Sequence, residues 1–266
     1  MVFNKKAKKS LGQNFLKDEK ILDDIINSSE LSLDDCVLEI GPGQGALTER
    51  LVETAGKVVA FELDQELIPG LKEKFKNNDN LEIVHKDILQ VNLEEELKER
   101  GLKKGEYRVI ANIPYYITSK IIRLFLESDY SPKDMIVMVQ KEVANRIAAD
   151  TGKMSLLAVS VQYFADAEVL FYVNRNSFDP VPDVDSAIIR IHNIKKDFDA
   201  DEAKKFFRVA KAGFCARRKT LVNNLANSLH LDKSDVQDKL ESVGIKSNVR
   251  AQELAIDEWK KLAEIF

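Results

Sequence analysis

An α/β fold, with helices on both faces of a mostly parallel sheet and a small all-α domain at the carboxyl end, is predicted by three observations. Short apolar runs alternate with helical segments from Val37 to Ile191, the pattern of a doubly wound sheet. A glycine turn, Gly41-Pro42-Gly43-Gln44-Gly45, joins the first of these runs to a helix. The composition then changes at Asn193 to Asp201, beyond which only helical patterns remain, so the domains are predicted at 1–195 and 196–266.

Asp18 is a suitable cap for a first helix through Ile21, Leu22, Ile25 and Ile26. Val37 to Ile40 reads as a buried strand, followed by a helix from Leu47 to about Glu53. Strands at Val58 to Phe61 and Leu81 to Val84 alternate with helices at Gln65 to Phe75 and Glu94 to Arg100. Leu97 to Gly105, charged and with two glycines, reads as a surface connection. Tyr107 to Ala111 is a further strand, and Ser119 to Leu126 a helix. Met135 to Val139 and a helix from Lys141 to Ala148 follow, and Gly152-Lys153-Met154 opens a helix reaching about Phe164. Ala167 to Val173 and Ser186 to Ile191 suit an antiparallel pair at the sheet edge. Between them Pro180 and Pro182 enforce an extended loop that holds Phe178 out of a strand, either facing a base or anchoring the loop in the core. The carboxyl region predicts helices at Ala203 to Phe214, Lys219 to Ser228, Ser234 to Val243 and Ile256 to Ile265. Ser234 and Asp257 serve as caps and Gly244 as a stop, with Phe206, Phe207, Val209, Ala210 and Phe214 as a core stripe.

Composition narrows the classes. Of 266 residues 44% are hydrophobic, enough for a packed core, yet no run approaches the roughly 18 apolar residues of a membrane span. Met1 to Ser10 is lysine-rich without the apolar centre of a secretory signal, so the cytoplasm is expected; a monomer is expected as well. Cys36, in a predicted strand, and Cys215, in a predicted helix, are too few for a disulfide framework or a zinc site, and no metal is expected. A net charge of −4 argues against indiscriminate nucleic-acid binding. Basic residues nonetheless cluster at Lys5, Lys6, Lys8, Lys9 and Lys17 and at Arg217-Arg218-Lys219, as local phosphate contacts require. Each cluster taken alone is equally a solvated face.

The chemistry concentrates at strand ends, where doubly wound sheets bind ligands. Asn112-Ile113-Pro114-Tyr115 follows a strand and precedes a helix. The side-chain carbonyl of Asn112 and the backbone carbonyl of Ile113 are acceptors, Pro114 fixes the backbone, and Tyr115 offers a stacking face. Such a set suits the exocyclic amine of adenine. Gly41, Gly43 and Ala46 also satisfy the dinucleotide fingerprint, which by itself does not separate a nicotinamide cofactor from S-adenosyl-L-methionine. Glu62, at the next strand end, suits two ribose hydroxyls of either cofactor. Asp87 suits the amino group of the cofactor's adenine, with Ile88 and Leu63 as apolar walls.

These stretches, together with Leu11-Gly12-Gln13-Asn14-Phe15-Leu16, Phe178-x-Pro180-x-Pro182-x-Val184-x-Ser186 and Arg217-Arg218-Lys219-Thr220-Leu221, resemble the small-subunit ribosomal RNA adenine dimethyltransferases over essentially the whole chain. The resemblance implies a class I methyltransferase (Rossmann-like) sheet with a small helical RNA-binding domain. It implies transfer of methyl groups from S-adenosyl-L-methionine to two adjacent adenines near the 3′ end of small-subunit (16S) rRNA, on a precursor of the small ribosomal subunit. Carried over by motif, Asn14, Leu16, Gly41, Glu62, Asp87 and Asn112 line the cofactor site; from the residues themselves, Phe178 is a candidate to face a base and Arg217, Arg218 and Lys219 to reach RNA phosphates. A pI of about 5.6 is a departure from the usual basic character of RNA enzymes. The rival readings are a large-subunit rRNA methyltransferase of the macrolide-resistance type, a DNA adenine methyltransferase, a non-enzymatic assembly factor on the same fold, and a nicotinamide dehydrogenase.

Overall fold

The computed structural model describes residues 7–8 and 11–266; Lys5, Lys6, Lys9 and Ser10 lie outside the described residues. The chain divides into two compact units, Met1–Ala144 with Ala165–Lys196 and Asn145–Phe164 with Asp197–Phe266. The composition break alone places residues 145–164 in the first domain. They group with the second because their aromatic side chains pack there: Tyr163 lies 4.2 Å from Phe206, ring centroid to centroid.

The first unit opens with a two-residue strand β1 (Phe15–Leu16) and helix α1 (Glu19–Ser29), which Asp18 caps by accepting from the Ile21 N–H. Then come β2 (Cys36–Ile40), α2 (Ala46–Thr54), β3 (Lys57–Glu62), α3 (Ile68–Lys74), β4 (Leu81–His85), α4 (Leu93–Glu99), β5 (Arg108–Asn112), α5 (Thr118–Leu126) and β6 (Asp134–Gln140). The helix α6 (Lys141–Ile147) leads into α7 (Leu156–Gln162) of the second unit, and the first unit resumes with β7 (Asp166–Val173), the two-residue β8 (Phe178–Asp179) and β9 (Ser186–His192). Seven strands form one sheet in the order β4-β3-β2-β5-β6-β9-β7. The first five are parallel, and β9 is antiparallel to both β6 and β7. Val37, Leu38, Val58, Val59, Val109 and Ile110 are fully buried, as unbroken apolar strands covered on both faces must be.

This order is the class I methyltransferase sheet. After β4 the chain crosses back to lay β5 against the other side of β2, so the strand order reverses between β2 and β5. At such a switch point the connections leave on opposite faces and a crevice opens beyond the carboxyl ends of the strands. The glycine turn leaves β2 there and the Asn-Ile-Pro-Tyr turn leaves β5.

Two expectations for the first unit are corrected. The 97–105 stretch is not wholly superficial, because α4 extends to Glu99 and Leu97 and Leu102 are fully buried beneath it. Phe178 is not held out of a strand: it pairs with Leu16 across β1 and β8. It is also 3% exposed, within the apolar cluster that contains Leu16, Ile25 and Val173. A neighbouring strand supplied by a distant segment overrides the extended-loop signal of the prolines.

The second unit packs α7 with α8 (Ala200–Gly213), α9 (Leu221–Leu229), α10 (Lys233–Ser242) and α11 (Ile256–Ile265). Phe206, Val209 and Ala210 are buried, as the stripe predicts. Helix α7 starts later than Gly152, capped by Ser155, whose hydroxyl accepts from Ala158 N–H at 3.1 Å. Ser234 and Asp257 fall inside α10 and α11 rather than at their caps, where Asp232 and Ala255 stand. Gly244, at φ +80°, does end α10: its N–H reaches the Glu241 carbonyl and that of Ile245 the Leu240 carbonyl, the paired bonds of a left-handed helix stop. Cys215 is exposed in the turn after α8, not in a helix. At the end of α8 Gly213 abuts Trp259 so closely that a Cβ would stand 2.4 Å from its ring.

Candidate active site

One cavity occupies the carboxyl ends of β2, β3, β4 and β5. It is lined by Asn14 and Leu16, by Gly41 and Gly43, by Glu62 and Leu63, by Asp87 and Ile88, and by Asn112, Ile113, Pro114 and Tyr115. Residues far apart in sequence thus meet around one space. No group of three His, Cys, Asp or Glu side chains among the described residues is arranged to hold a metal ion.

The glycine turn forms the floor. Gly41 has φ +70° and donates its N–H to the Phe61 carbonyl at 2.9 Å, locking the turn onto β3. Gly43 has φ +60°, and a Cβ there would stand 3.1 Å from the Phe15 ring, so glycine is needed for conformation and for clearance. The Gly43 N–H points to Glu62, donating to Oε2 at 3.1 Å, while Asp64 N–H donates to Oε1 at 2.8 Å. Glu62 is only 5% exposed. Burial raises its carboxyl above the ordinary value against the pull of those backbone donors. Each carboxylate oxygen retains acceptor capacity, which suits a diol.

Glu39, one strand over, stands two residues before the glycine turn and carried no role of its own in the sequence. It is buried at the end of β2 and accepts from the Thr48 hydroxyl at 2.7 Å. Burial pushes its carboxyl up to about 8, with the nearby Glu62 charge adding to the shift. Asp87 lies two residues beyond β4, half-buried, with its oxygens accepting from Leu89 N–H at 2.9 Å and Gln90 Nε2 at 3.0 Å. Those bonds orient the carboxylate and leave lone pairs on both oxygens. Ile88 is buried and Leu63 is exposed beside it in the cavity lining.

At the end of β5 the Asn112 amide is turned so that Nδ2 donates to the Asn14 carbonyl at 3.4 Å. The Oδ1 end then takes no donor among the described residues. Ile113 is fully buried and anchors the turn, and Pro114 precedes a 3-10 turn, Tyr115–Ile117, whose last N–H returns to the Pro114 carbonyl. The Tyr115 hydroxyl lies 2.6 Å from Ser186 Oγ at the start of β9. Burial raises its pKa, so it remains a neutral phenol. Ser186 is fully buried, and this hydrogen bond fixes the direction of the ring.

The segment Leu11 to Lys17 closes one side of the cavity. Asp64 latches it, accepting from Lys8 Nζ at 2.7 Å and from Gln13 Nε2 at 2.9 Å. Burial alone would raise the Asp64 carboxyl, but these donors hold it below its usual range. The sequence assigns no role to Asp64 or Tyr116, and gives Ser186 only as a strand start and a motif position. An acid two residues after Glu62 and an aromatic doublet at 115–116 were the available signals. Of the two places open to Phe178, facing a base or anchoring the core, the structure takes the second: it is not among the lining residues and packs in the core against Leu16. Arg217, Arg218 and Lys219 lie in the second unit, all exposed in the turn between α8 and α9. Of the amino-terminal basic cluster, Lys8 pairs with Asp64 and Glu66, and Lys17 with Asp179.

The family described as ribosomal RNA adenine dimethylase matches residues 4–266. A ribosomal RNA small subunit methyltransferase A from Dehalococcoides mccartyi (strain CBDB1) is 44% identical, the match covering 97% of this chain and 87% of that protein. One from Clostridioides difficile (strain 630) is 41% identical over 99% of this chain and 92% of its own. Among solved structures, a dimethyladenosine transferase from Plasmodium falciparum superposes with a TM-score of 0.78 at 28% identity, over 94% of this chain and 97% of that one. The 23S rRNA methyltransferase ErmE gives 0.73 at 27% identity, over 94% and 98%. The chain belongs to the ribosomal RNA adenine dimethylase family.

Proposed function

We propose that the protein transfers methyl groups from S-adenosyl-L-methionine to the exocyclic amines of two adjacent adenines near the 3′ end of small-subunit (16S) rRNA, acting on a precursor of the small ribosomal subunit. The observation that carries this reading is the Asn112 amide. Its nitrogen is tied to Asn14 and its oxygen is turned loose at the mouth of a cavity whose floor holds two strand-end acids.

The cavity fits that cofactor. The Glu62 carboxylate, held by two backbone N–H groups, suits the ribose hydroxyls, and Asp87 with Ile88 and Leu63 suits an adenine. At Gly43 a Cβ would crowd the Phe15 ring at 3.1 Å, and Gly41, Asn14 and Leu16 complete the wall. When bound, the cofactor supplies an electrophilic methyl group on a positively charged sulfur. The protein's part is alignment. Asn112 Oδ1 and the Ile113 carbonyl accept from the target amine, whose lone pair is otherwise delocalised into the ring. Holding its hydrogens favours a pyramidal nitrogen with its electron pair directed at the methyl group. No strong base is needed, because the nitrogen loses its proton readily only after alkylation. Positioning of this kind contributes several kcal/mol, on the order of 7 or more in favourable cases. Tyr115 stacks the extruded base, a contact worth about 1–3 kcal/mol. Arg217, Arg218 and Lys219 contact RNA phosphates from the helical unit. No helix among the described residues is long and apolar enough to cross a membrane.

Incubation with labelled S-adenosyl-L-methionine and unmethylated small subunits, followed by nucleoside analysis, tests this directly. Label in dimethyladenosine from the small-subunit RNA is expected. Label confined to large-subunit RNA in a parallel incubation would transfer the reading to the ErmE-like reaction.

A further inference from the structure

Two consecutive tyrosines border the cavity, and they are held differently. Tyr115 and Tyr116 open one 3-10 turn, in which successive side chains point about 120° apart. Tyr115 is half-buried and tied by its hydroxyl to Ser186. Tyr116 lines the same cavity yet keeps 59% of its surface. Its ring rests against Gly12, in the segment that walls the cavity: a Cβ at Gly12 would stand 3.0 Å from Tyr116 Cδ1 and 3.2 Å from Cε1. Gly12 therefore lets the Cδ1–Cε1 edge of the ring lie close to the backbone, and its φ of +60° is one that side-chain-bearing residues rarely adopt. A ring braced along one edge keeps a face open and loses little freedom when a second flat group stacks on it.

We propose that Tyr116 stacks the nucleotide adjacent to the target adenine, so that the site takes two consecutive bases, one inside against Tyr115 and its neighbour at the rim against Tyr116. This rests on the reading of the cavity as an RNA adenine-methylating site. Base–aromatic stacking tolerates any base, but its strength differs between bases, and purines offer the larger face. Of two adjacent adenines, one has the other on the side that Tyr116 faces, so for that target the stacked neighbour is a purine. Tyr116 thereby makes the adenine pair, rather than a lone adenine, the preferred substrate.

The test uses the full chain, labelled S-adenosyl-L-methionine and unmodified small subunits carrying either the adenine pair or a variant with one of the two replaced by uracil. Wild-type protein is expected to methylate an adenine beside adenine several-fold more efficiently than one beside uracil. Tyr116→Ala should lower kcat/KM on the pair roughly tenfold, mostly through KM, and abolish the preference. Tyr116→Phe should retain both, because stacking does not use the hydroxyl. The cofactor Kd, measured by calorimetry, should be the same for all three proteins. Persistence of the preference in Tyr116→Ala, its loss in Tyr116→Phe, or its absence from a wild-type protein that methylates the pair would each overturn the inference. Failure of wild-type protein to methylate either subunit would remove the site reading itself, and this inference with it.

Discussion

Strand β5 carries a polar side chain at each end, and the two ends of the sheet treat buried polarity differently. At the amino end Arg108 and the Asp134 that pairs with it in register are both 3% exposed. They form a two-pronged pair, Nε to Oδ1 at 2.8 Å and a terminal nitrogen to Oδ2 at 2.6 Å, with Arg190 at 3.5 Å. At the carboxyl end Glu39 and Glu62 are also buried, but their partners are a hydroxyl and backbone N–H groups, and a cavity adjoins them. A buried charge matched by an opposite charge in fixed geometry is complete and leaves no acceptor for a ligand. A buried acid held only by neutral donors beside open space still has acceptor capacity, and a ligand can use it.

Breaking the closed end should be felt in stability. Asp134→Ala leaves Arg108 buried without its counter-charge and is expected to cost about 3–5 kcal/mol in urea unfolding, whereas an apolar replacement of both partners should be close to neutral. At the open end, Asn112→Ala should lower the single-turnover rate by about 100-fold or more while calorimetry finds cofactor binding largely intact. Near-normal turnover would remove Asn112 from the reaction.

The acids themselves sharpen the contrast through pH. Glu39 has a folded-state pKa raised from 4.5 to about 8, so the fold favours its neutral form. Its contribution to stability is fully present below 4.5 and is lost as pH rises toward 8. Glu39→Gln should therefore gain on wild type across that window, by on the order of a few kcal/mol in parallel unfolding titrations at pH 5 and pH 8. A constant difference between the two proteins would show that Glu39 does not titrate there.

Smaller effects are expected further from the acids. Ser186→Ala frees the Tyr115 ring and should reduce kcat up to about tenfold, with little further loss when Tyr115→Phe is added, since both remove one hydrogen bond. Multiplying effects would mean that the two residues act separately. Replacing Arg217, Arg218 and Lys219 by alanine, in a unit that contains neither end of the sheet, should leave cofactor affinity alone. It should reduce the salt dependence of RNA binding by about 0.7–0.9 in log–log slope for each phosphate no longer neutralised.

Much of this was legible before any coordinates. The apolar runs at Val37, Val58 and Val109 are strands because residues buried on both faces of a sheet have no polar side to show. Asp18, Gly41, Gly43 and Gly244 mark caps and turns through backbone chemistry that is local to each of them. The strand-end residues Glu62, Asp87 and Asn112 follow from the alternation, since every parallel strand ends on the same edge. Phe178 pairs in a strand with Leu16, a partner too distant in sequence for any local signal to reveal, and Cys215 lies just beyond α8, which ends at Gly213.

Local chemistry in the chain thus specified the elements, the order of the glycine and asparagine turns, and the types of group each strand end would present. The latch of Asp64 on Lys8 and Gln13, the tether of Tyr115 to Ser186 and the seat of Tyr116 on Gly12 appear only once the chain is folded. Each joins segments from about 50 to about 100 residues apart, and such contacts depend on packing direction and distance, which spacing along the chain does not encode.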